Sequence, residues 1–285
     1  MRTTNKIGAA ILASALALGT AFSGTAFAGH GGSRDLILQA VNANSTDAIQ
    51  AELERSEHLV CAGCTDLVLP LVDHLNYRVR QAAAWWLARR GTAREVFVEM
   101  LTRLSQPDSI KARNAADVLG EFKTTAAIPA LGAALSNPIY TGEARAAMAR
   151  ALGAIGRNEG AAPLVAALSD SDPMVKAAAL EGIRTIEGYH DGSVAVPLVT
   201  DADSQVRIAA VTTLGTMHTS QGASALLAAL ASDKAESVRK TAAWALGEIG
   251  APASVVGPGL QAAAAHDASP FVRSLAQASL GNLSR

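Results

Sequence analysis

The two cysteines of the chain form a Cys-x-x-Cys motif at Cys61 and Cys64. In a reducing compartment this spacing is typical of redox chemistry or metal binding, whereas in an exported protein the simplest state is a structural disulfide. Such a bridge closes a very short loop, so the expected entropic stabilisation is modest. His58 and His74 lie on either side and complete the ligand types of a zinc site. We predict the disulfide, and a redox-active pair and this metal site remain alternatives.

A second set of ionisable residues recurs, because an aspartate stands six or seven residues before a basic residue in five places. The pairs are Asp73 and Arg80, Asp170 and Lys176, Asp201 and Arg207, Asp233 and Arg239, and Asp267 and Arg273. Five equivalent active sites are implausible, whereas equivalent pairs are expected in stacked repeats. We expect each aspartate to cap the following helix and to pair with a basic residue of its own or the next unit. Ala112 and Asn137 break the pattern and predict an interruption.

The elements that position these residues repeat along the chain. A phrase of the form Val-Arg-x-x-Ala-x-x-x-Leu-Gly returns with its leucine or isoleucine at positions 87, 119, 152, 183, 214, 246 and 280. The apolar residues at +4, +7 and +8 from the valine predict an amphipathic helix of about three to four turns. A second apolar run precedes each phrase, with a polar turn between them. Each unit is therefore a predicted hairpin, helix A then helix B, and hairpins must stack to bury their apolar faces.

Phrases such as SDPMVKAAALEGI and ADSQVRIAAVTTLG resemble HEAT repeats, in particular the short bacterial type named after phycobilisome lyases. The resemblance implies an all-α, right-handed α-solenoid of about seven hairpins with an N-terminal helical cap. Family members are mostly binding scaffolds, and a few are enzymes. The di-iron hydroxylases among them carry His-Glu dipeptides, but none of the six histidines here precedes a glutamate. The phycobilin-lyase members offer no compact motif to test, and predicted export argues against that role.

The first 28 residues have the pattern of a secretory signal peptide. Arg2 and Lys6 precede an apolar run at residues 7–19, and Ala26-Phe27-Ala28 supplies a cleavage site. The run has 13 residues, fewer than the roughly 20 that a spanning helix needs, and no later stretch approaches that length. We therefore expect a periplasmic or extracellular protein without a membrane span after cleavage. Its expected segments are a signal peptide (1–28), a flexible mature N-terminus (29–33), a helical cap (34–63) and the HEAT-like array (64–285).

The balance of charged residues and the absence of known catalytic motifs narrow the range of functions that the sequence predicts. Without the two basic residues of the leader, the chain has 22 basic and 25 acidic residues. Nucleic-acid binding needs a concentrated positive field, so a nucleic-acid partner is not predicted. The sequence has no phosphate-binding loop, no His-Glu-x-x-His and no Gly-x-Ser-x-Gly. We predict neither a cofactor nor an enzymatic activity.

The remaining candidate site is the surface formed by the B helices, which lines the concave side of arrays of this kind. Positions +2, +6 and +10 from the valine face away from the buried stripe, and +6 holds two tryptophans. Tryptophan and arginine are enriched at interface hot spots. The candidate contacts are Trp85, Arg89, Arg113, Asp117, Arg150, Glu181 and Trp244.

The sequence leaves open whether Trp85 and Trp244 face solvent or fold onto neighbouring helices. Trp86, at +7, is predicted to be core. We predict a monomeric scaffold that binds a protein or peptide. A redox, cofactor or metal-handling protein that uses the cysteines, and a HEAT-type enzyme, are the alternatives.

Overall fold

The computed structural model describes residues 32–61 and 63–283, and these residues form helices and turns without a strand. The helices are α1 (Gly32–Asn42), α2 (Thr46–Arg55), α3 (Cys64–Val68), α4 (Tyr77–Leu87), α5 (Ala93–Leu104), α6 (Ser109–Phe122), α7 (Ile128–Leu135), α8 (Gly142–Ile155), α9 (Ala161–Ala167), α10 (Pro173–Thr185), α11 (Ser204–Thr216), α12 (Ala223–Ser232), α13 (Glu236–Glu248), α14 (Ala253–His266) and α15 (Pro270–Leu283). Further 3-10 segments are Leu69–Asp73, Thr125–Ala127, Asn158–Gly160, Gly192–Thr200 and Ser220–Gly222. Within the described ranges, none of these helices combines the length and apolar character needed to cross a bilayer.

The predicted signal peptide, residues 1–28, lies outside the described residues. The flexible segment predicted for residues 29–33 is described only from Gly32, where α1 already begins. The helical cap predicted for residues 34–63 takes the form of a hairpin, α1 followed by α2.

The repeat array is a stack of helical hairpins, as the periodicity predicts. The B helices are α4, α6, α8, α10, α11, α13 and α15, and each contacts the next along the chain. The A helices are α3, α5, α7, α9, α12 and α14, and the 3-10 segment Gly192–Thr200 takes the place of an A helix between α10 and α11. The prediction of an all-α solenoid is therefore confirmed.

The N-terminal hairpin joins the stack because α2 contacts α4 in the position of a B helix. Trp86 of α4 is buried, as predicted, and its Nε1 donates to Ser56 Oγ at 3.0 Å. The Arg90 guanidinium lies 3.7 Å from the Trp86 ring centroid and donates to the Ser56 and Leu59 carbonyls. These contacts hold the segment that follows α2 against the first repeat, because Arg90 and Trp86 of that repeat donate to Ser56 and Leu59.

Close approach of some neighbouring B helices depends on the glycine that follows the repeat leucine. A Cβ added to Gly153 would lie 2.6 Å from Gly182 Cα of the next B helix. A Cβ added to Gly215 would lie 2.7 Å from Trp244 Cζ3. Neither separation is compatible with close packing of carbon atoms, so these positions require glycine for the observed spacing. Gly153 and Gly215 are therefore packing residues.

The aspartates of the repeat do not cap the B helices, which corrects our expectation. The N-cap of α10 is Asp172 and that of α11 is Asp203, each accepting a backbone N–H at the helix start. Asp170 and Asp201 lie two residues earlier and accept the N–H of these capping residues. They therefore stabilise the turn that precedes the helix.

Asp73 pairs with Arg103 of the next unit, as expected, but the ionic partner of each of the other four aspartates is a basic residue of the preceding unit. The pairs, which we call the turn ladder, are Arg145 with Asp170 at 2.8 Å, Lys176 with Asp201, Arg207 with Asp233 at 2.7 Å and Arg239 with Asp267 at 2.9 Å. Arg207, Arg239 and Arg273 also donate to carbonyls of their own turns. The ladder thus joins successive A–B turns.

The ladder is interrupted in the second and third repeats, as Ala112 and Asn137 predict. The aspartate of the next turn, Asp108, caps α6, and Arg80 instead lies 3.4 Å from Asp117 of α6. Asp73 is bound by Arg103 at 2.8 Å and by the Asn114 amide at 2.9 Å. At the interruption, these charged residues therefore form pairs that are not found in the other described repeats.

Candidate functional site

The outward side chains of the B helices and α2, which we call the B-helix surface, include every predicted contact residue except Asp117. Two open grooves lie on this surface. The first, the Trp85 groove, has a volume of about 410 Å³ between α2, α4 and α6. The second, the Arg184 groove, has a volume of about 440 Å³ between α8, α10 and α11. Both volumes are in the range that binds ligands or short peptide segments.

The Trp85 groove combines a half-buried indole with polar side chains. Its lining residues are Gln50, Glu54, Arg78, Gln81, Ala82, Trp85 and Glu121. The Arg89 guanidinium lies 4.5 Å from the Trp85 ring centroid and pairs with Glu57 at 3.1 Å. This cation–π contact holds the indole in place. The groove can therefore accept an apolar group against a fixed aromatic side chain.

Arg113 and Asp117 are engaged within the protein. Arg113 pairs with Glu143 at 2.6 Å. The Asp117 side chain is only 8% exposed, because it turns inward to Arg80. Burial raises the pKa of Asp117 above its ordinary value, and the attraction of Arg80 and Arg150 offsets this only in part. The structure therefore does not place Asp117 on the open surface that its repeat position predicts.

The two outward tryptophans differ in their surroundings. Trp244 is half-buried, and its ring edge lies over Gly215 of the preceding B helix. Trp85 is also half-buried but lines a groove. Of the two arrangements that the sequence leaves open, Trp244 adopts the folded one, and Trp85 combines partial burial with access to solvent.

The Arg184 groove is lined by two predicted contact residues and by eight others. Arg150 and Glu181 are exposed, as their +6 positions predict. Arg184, Met174 and Ile208 line the same groove, together with Ala177, Ala178, Gln205, Ala209 and Thr212. Arg184 was missed because it lies at position +9, outside the +2, +6 and +10 series. A signal was present, since the same position is glycine in most other repeats.

The cysteines form the predicted disulfide between Cys61 and Cys64. Cys64 is buried and Cys61 is half-buried at the junction of the cap and the array. His74 Nδ1 accepts the Asn76 backbone N–H at 3.0 Å, and the exposed His58 lies beside Glu57. Across residues 32–61 and 63–283, no three histidine, cysteine, aspartate or glutamate side chains cluster as metal ligands would.

Comparison with known proteins identifies the repeat. The family model for HEAT repeats matches residues 97–184 and 193–281. Among curated proteins, the comparison found no match.

Several solved structures have a similar fold. The Escherichia coli protein YibA is 17% identical with a TM-score of 0.58, covering 88% of this chain and 92% of that one. Yeast importin-β is 13% identical with a TM-score of 0.53, covering 83% of this chain and 38% of that one. The phycocyanin lyase complex from Nostoc is 20% identical, covering 77% and 94%, but its TM-score of 0.42 carries no inference. At these identities the first two likenesses show the fold alone.

Proposed function

We propose that this chain, which belongs to the HEAT repeat family, is an exported scaffold that binds a protein or peptide partner along its B-helix surface. The supporting observation is that the outward residues of the B helices differ in type from repeat to repeat and line two open grooves. Packing of the hairpins against one another does not require these outward residues to differ between repeats. Grooves between helices accept extended or helical segments, with anchoring side chains in the groove and polar contacts at its rim. The mechanism is non-covalent burial around a few anchors.

Filling each groove tests this proposal. Ala82 and Ala177 are half-buried lining residues, so Ala82→Arg and Ala177→Arg place a long side chain in the Trp85 and Arg184 grooves. Ala162→Arg and Ala166→Arg, at exposed positions of helix α9, are the matched controls. The measurement is recovery of cross-linked partner from the exported fraction.

We expect wild type and the α9 variants to recover the same partner, and at least one groove variant to lose roughly tenfold or more. Circular dichroism would verify that all four variants keep their helical content. Equal recovery by the groove variants and the controls would overturn the proposal that the B-helix surface binds the partner.

Export is supported by the leader pattern of the sequence and by the disulfide, which is typical of oxidising compartments. The expected cleavage places Gly29 at the mature N-terminus. Intact-mass measurement of protein from cytosolic and exported fractions tests this. Full-length protein confined to the cytosol would contradict export without affecting the proposed binding surface.

A further inference from the structure

Arg184 breaks the most regular feature of the B helices. The residue after the repeat leucine is Gly120, Gly153, Gly215, Gly247 or Gly281 in five units, and Ala88 in the first. Arg184 stands there in the fourth. Where Gly153 and Gly215 stand, this position allows close approach of the next B helix. A long side chain at that position keeps neighbouring surfaces apart, and here the Arg184 groove lies between α10 and α11.

The Arg184 guanidinium is also without a partner. It is half-buried, and in the part of the chain that the structure describes it has no hydrogen bond or ion pair. Every other buried or half-buried lysine or arginine there donates to a carboxylate or a carbonyl: Arg80, Arg90, Arg103, Arg113, Arg145, Lys176, Arg207, Arg239 and Arg273. Burial lowers the pKa of Arg184, and nearby Glu181 opposes this. A partly desolvated cation without an acceptor is unfavourable, so the free site favours an incoming anion.

The remaining lining defines which anion fits. Arg150 is exposed and makes no hydrogen bond or ion pair with any described residue, so the groove holds two guanidinium groups and one carboxylate, that of Glu181. One carboxylate from a ligand would neutralise the excess charge. Met174 is 53% exposed, and Ile208 lies in the same groove. An apolar group beside the carboxylate would cover them.

We propose that the Arg184 groove binds an extended acidic peptide segment of the partner. An aspartate or glutamate carboxylate pairs with Arg184 and Arg150, and an adjacent apolar side chain packs on Met174 and Ile208. Arginine suits this role because its planar guanidinium can bind a carboxylate through two parallel hydrogen bonds. The inference rests on the proposed function and specifies the chemistry of the partner.

Two blocked peptides test the chemistry. Acetyl-Leu-Glu-Leu-amide carries one side-chain carboxylate and no terminal charge, and acetyl-Leu-Gln-Leu-amide is its neutral match. Each is titrated to about 5 mM into the labelled protein, with the Arg184 Nε–H and Met174 methyl resonances as readouts. We expect both resonances to shift saturably with the glutamate peptide, and binding of the glutamine peptide to be at least about fivefold weaker. Absence of saturable shifts, or equal affinity for both peptides, would overturn the inference.

Substitutions test the location. Arg184→Gln keeps much of the side-chain length and removes the charge, and Arg184→Gly restores the residue of the other repeats. We expect both, and Arg150→Gln, to weaken glutamate-peptide binding at least about fivefold. Arg157→Gln is the control, because Arg157 is exposed and pairs with Glu187 away from the groove. Peptide binding unaffected by Arg184→Gln would overturn the assignment.

The outcomes separate the two proposals. If groove filling by Ala177→Arg or Ala82→Arg abolishes partner capture but the peptides show no charge preference, the scaffold function holds and the acidic-segment inference fails. If capture is insensitive to both groove variants, the scaffold proposal itself fails.

Discussion

Charged residues are arranged differently in the A–B turns and on the B-helix surface. In the turns, an acidic and a basic residue recur at fixed repeat positions, and four consecutive pairs from Arg145 to Asp267 join neighbouring units. On the B-helix surface, position +6 is Trp85 in one repeat, Arg150 in another and Glu181 in a third. Among the residues that the structure describes, the half-buried Arg184 on this surface makes no hydrogen bond or ion pair. Periodic charge therefore holds the array together, and departure from the period marks the surface that is available to a ligand.

Removing a ladder arginine should have the largest effect on stability. Arg207 and Asp233 are 6% and 8% exposed at the side chain, so Arg207→Leu leaves a buried carboxylate without its cation. We expect the free energy of unfolding to fall by about 3 kcal/mol. Urea denaturation with circular dichroism measures it. The double variant Arg207→Leu/Asp233→Leu should recover much of the loss, and a single-variant loss below about 1 kcal/mol would contradict a stabilising ladder.

The pH dependence of stability should separate a ladder aspartate from Asp117. Burial raises the pKa of Asp233, but the hydrogen bonds from Arg207 and from the Ala235 N–H, together with the charges of Arg207 and Lys234, outweigh this, and the pKa lies below its ordinary value. Its contribution is therefore complete above the unfolded-state pKa of about 3.9 and is lost as the pH falls through the lowered value. We expect Asp233→Asn to cost about 2 kcal/mol at neutral pH and progressively less below about pH 4.

Asp117→Asn is the matched comparison. The pKa of Asp117 is raised by burial, so protonation stabilises the folded wild type. The deficit of Asp117→Asn relative to wild type should grow on acidification. Denaturation curves between about pH 3 and 7 measure both series. Parallel pH profiles for the two variants would contradict the difference between the ladder and the interruption.

A capping residue of the turns should have a smaller effect. Asp203 accepts the Gln205 N–H at 2.7 Å at the start of α11, and Asp203→Ala removes this cap. We expect a loss of about 1 kcal/mol. Gln205→Ala, at an exposed position of the same turn, should change stability by less than about 0.5 kcal/mol. Equal losses would show that the cap does not contribute.

The smallest effect is expected at Arg184. Because its guanidinium makes no hydrogen bond or ion pair with any described residue, Arg184→Ala removes an unsatisfied charge together with some packing. Stability should therefore change by less than about 0.5 kcal/mol. Arg239→Ala, which removes a ladder arginine, is the control and should be clearly destabilising. Thermal unfolding of the two variants compares them directly. A large loss at Arg184 would assign it to the fold and remove the contrast.

The sequence predicted the hairpins, the B-helix stack and the interruption, because each depends on residue period. It did not predict which unit supplies the partner of each aspartate. Spacing along one unit places Asp170 near its own Lys176, but the stacking offset brings Arg145 to it from the preceding unit. The cap was misassigned for a local reason, since both Asp170 and Asp172 are suitable capping residues and only the turn geometry distinguishes them.

The details of the candidate surface depend on contacts between neighbouring helices. Trp244 lies against α11 because Gly215 leaves room for its ring, and the sequence of α13 alone does not contain that information. Asp117 turns inward to pair with Arg80, because the aspartate of the following turn, Asp108, caps α6. The sequence shows Arg184 as an exception to the recurring glycine. That its guanidinium makes no hydrogen bond or ion pair among the described residues depends on the positions of the neighbouring helices, which the sequence does not give.

The four consecutive pairs of the turn ladder, from α8 to the end of α14, affect the order in which the protein unfolds. Each pair couples the opening of one hairpin to that of its neighbour, so this stretch should melt as one cooperative block. The N-terminal hairpins, beyond the interruption, lack the turn ladder and are joined instead by individual pairs such as Arg103 with Asp73 and by the contacts of Arg90. Amide hydrogen exchange should therefore show a step in protection near α6 and α8, with the first hairpins opening at lower free energy than the rest.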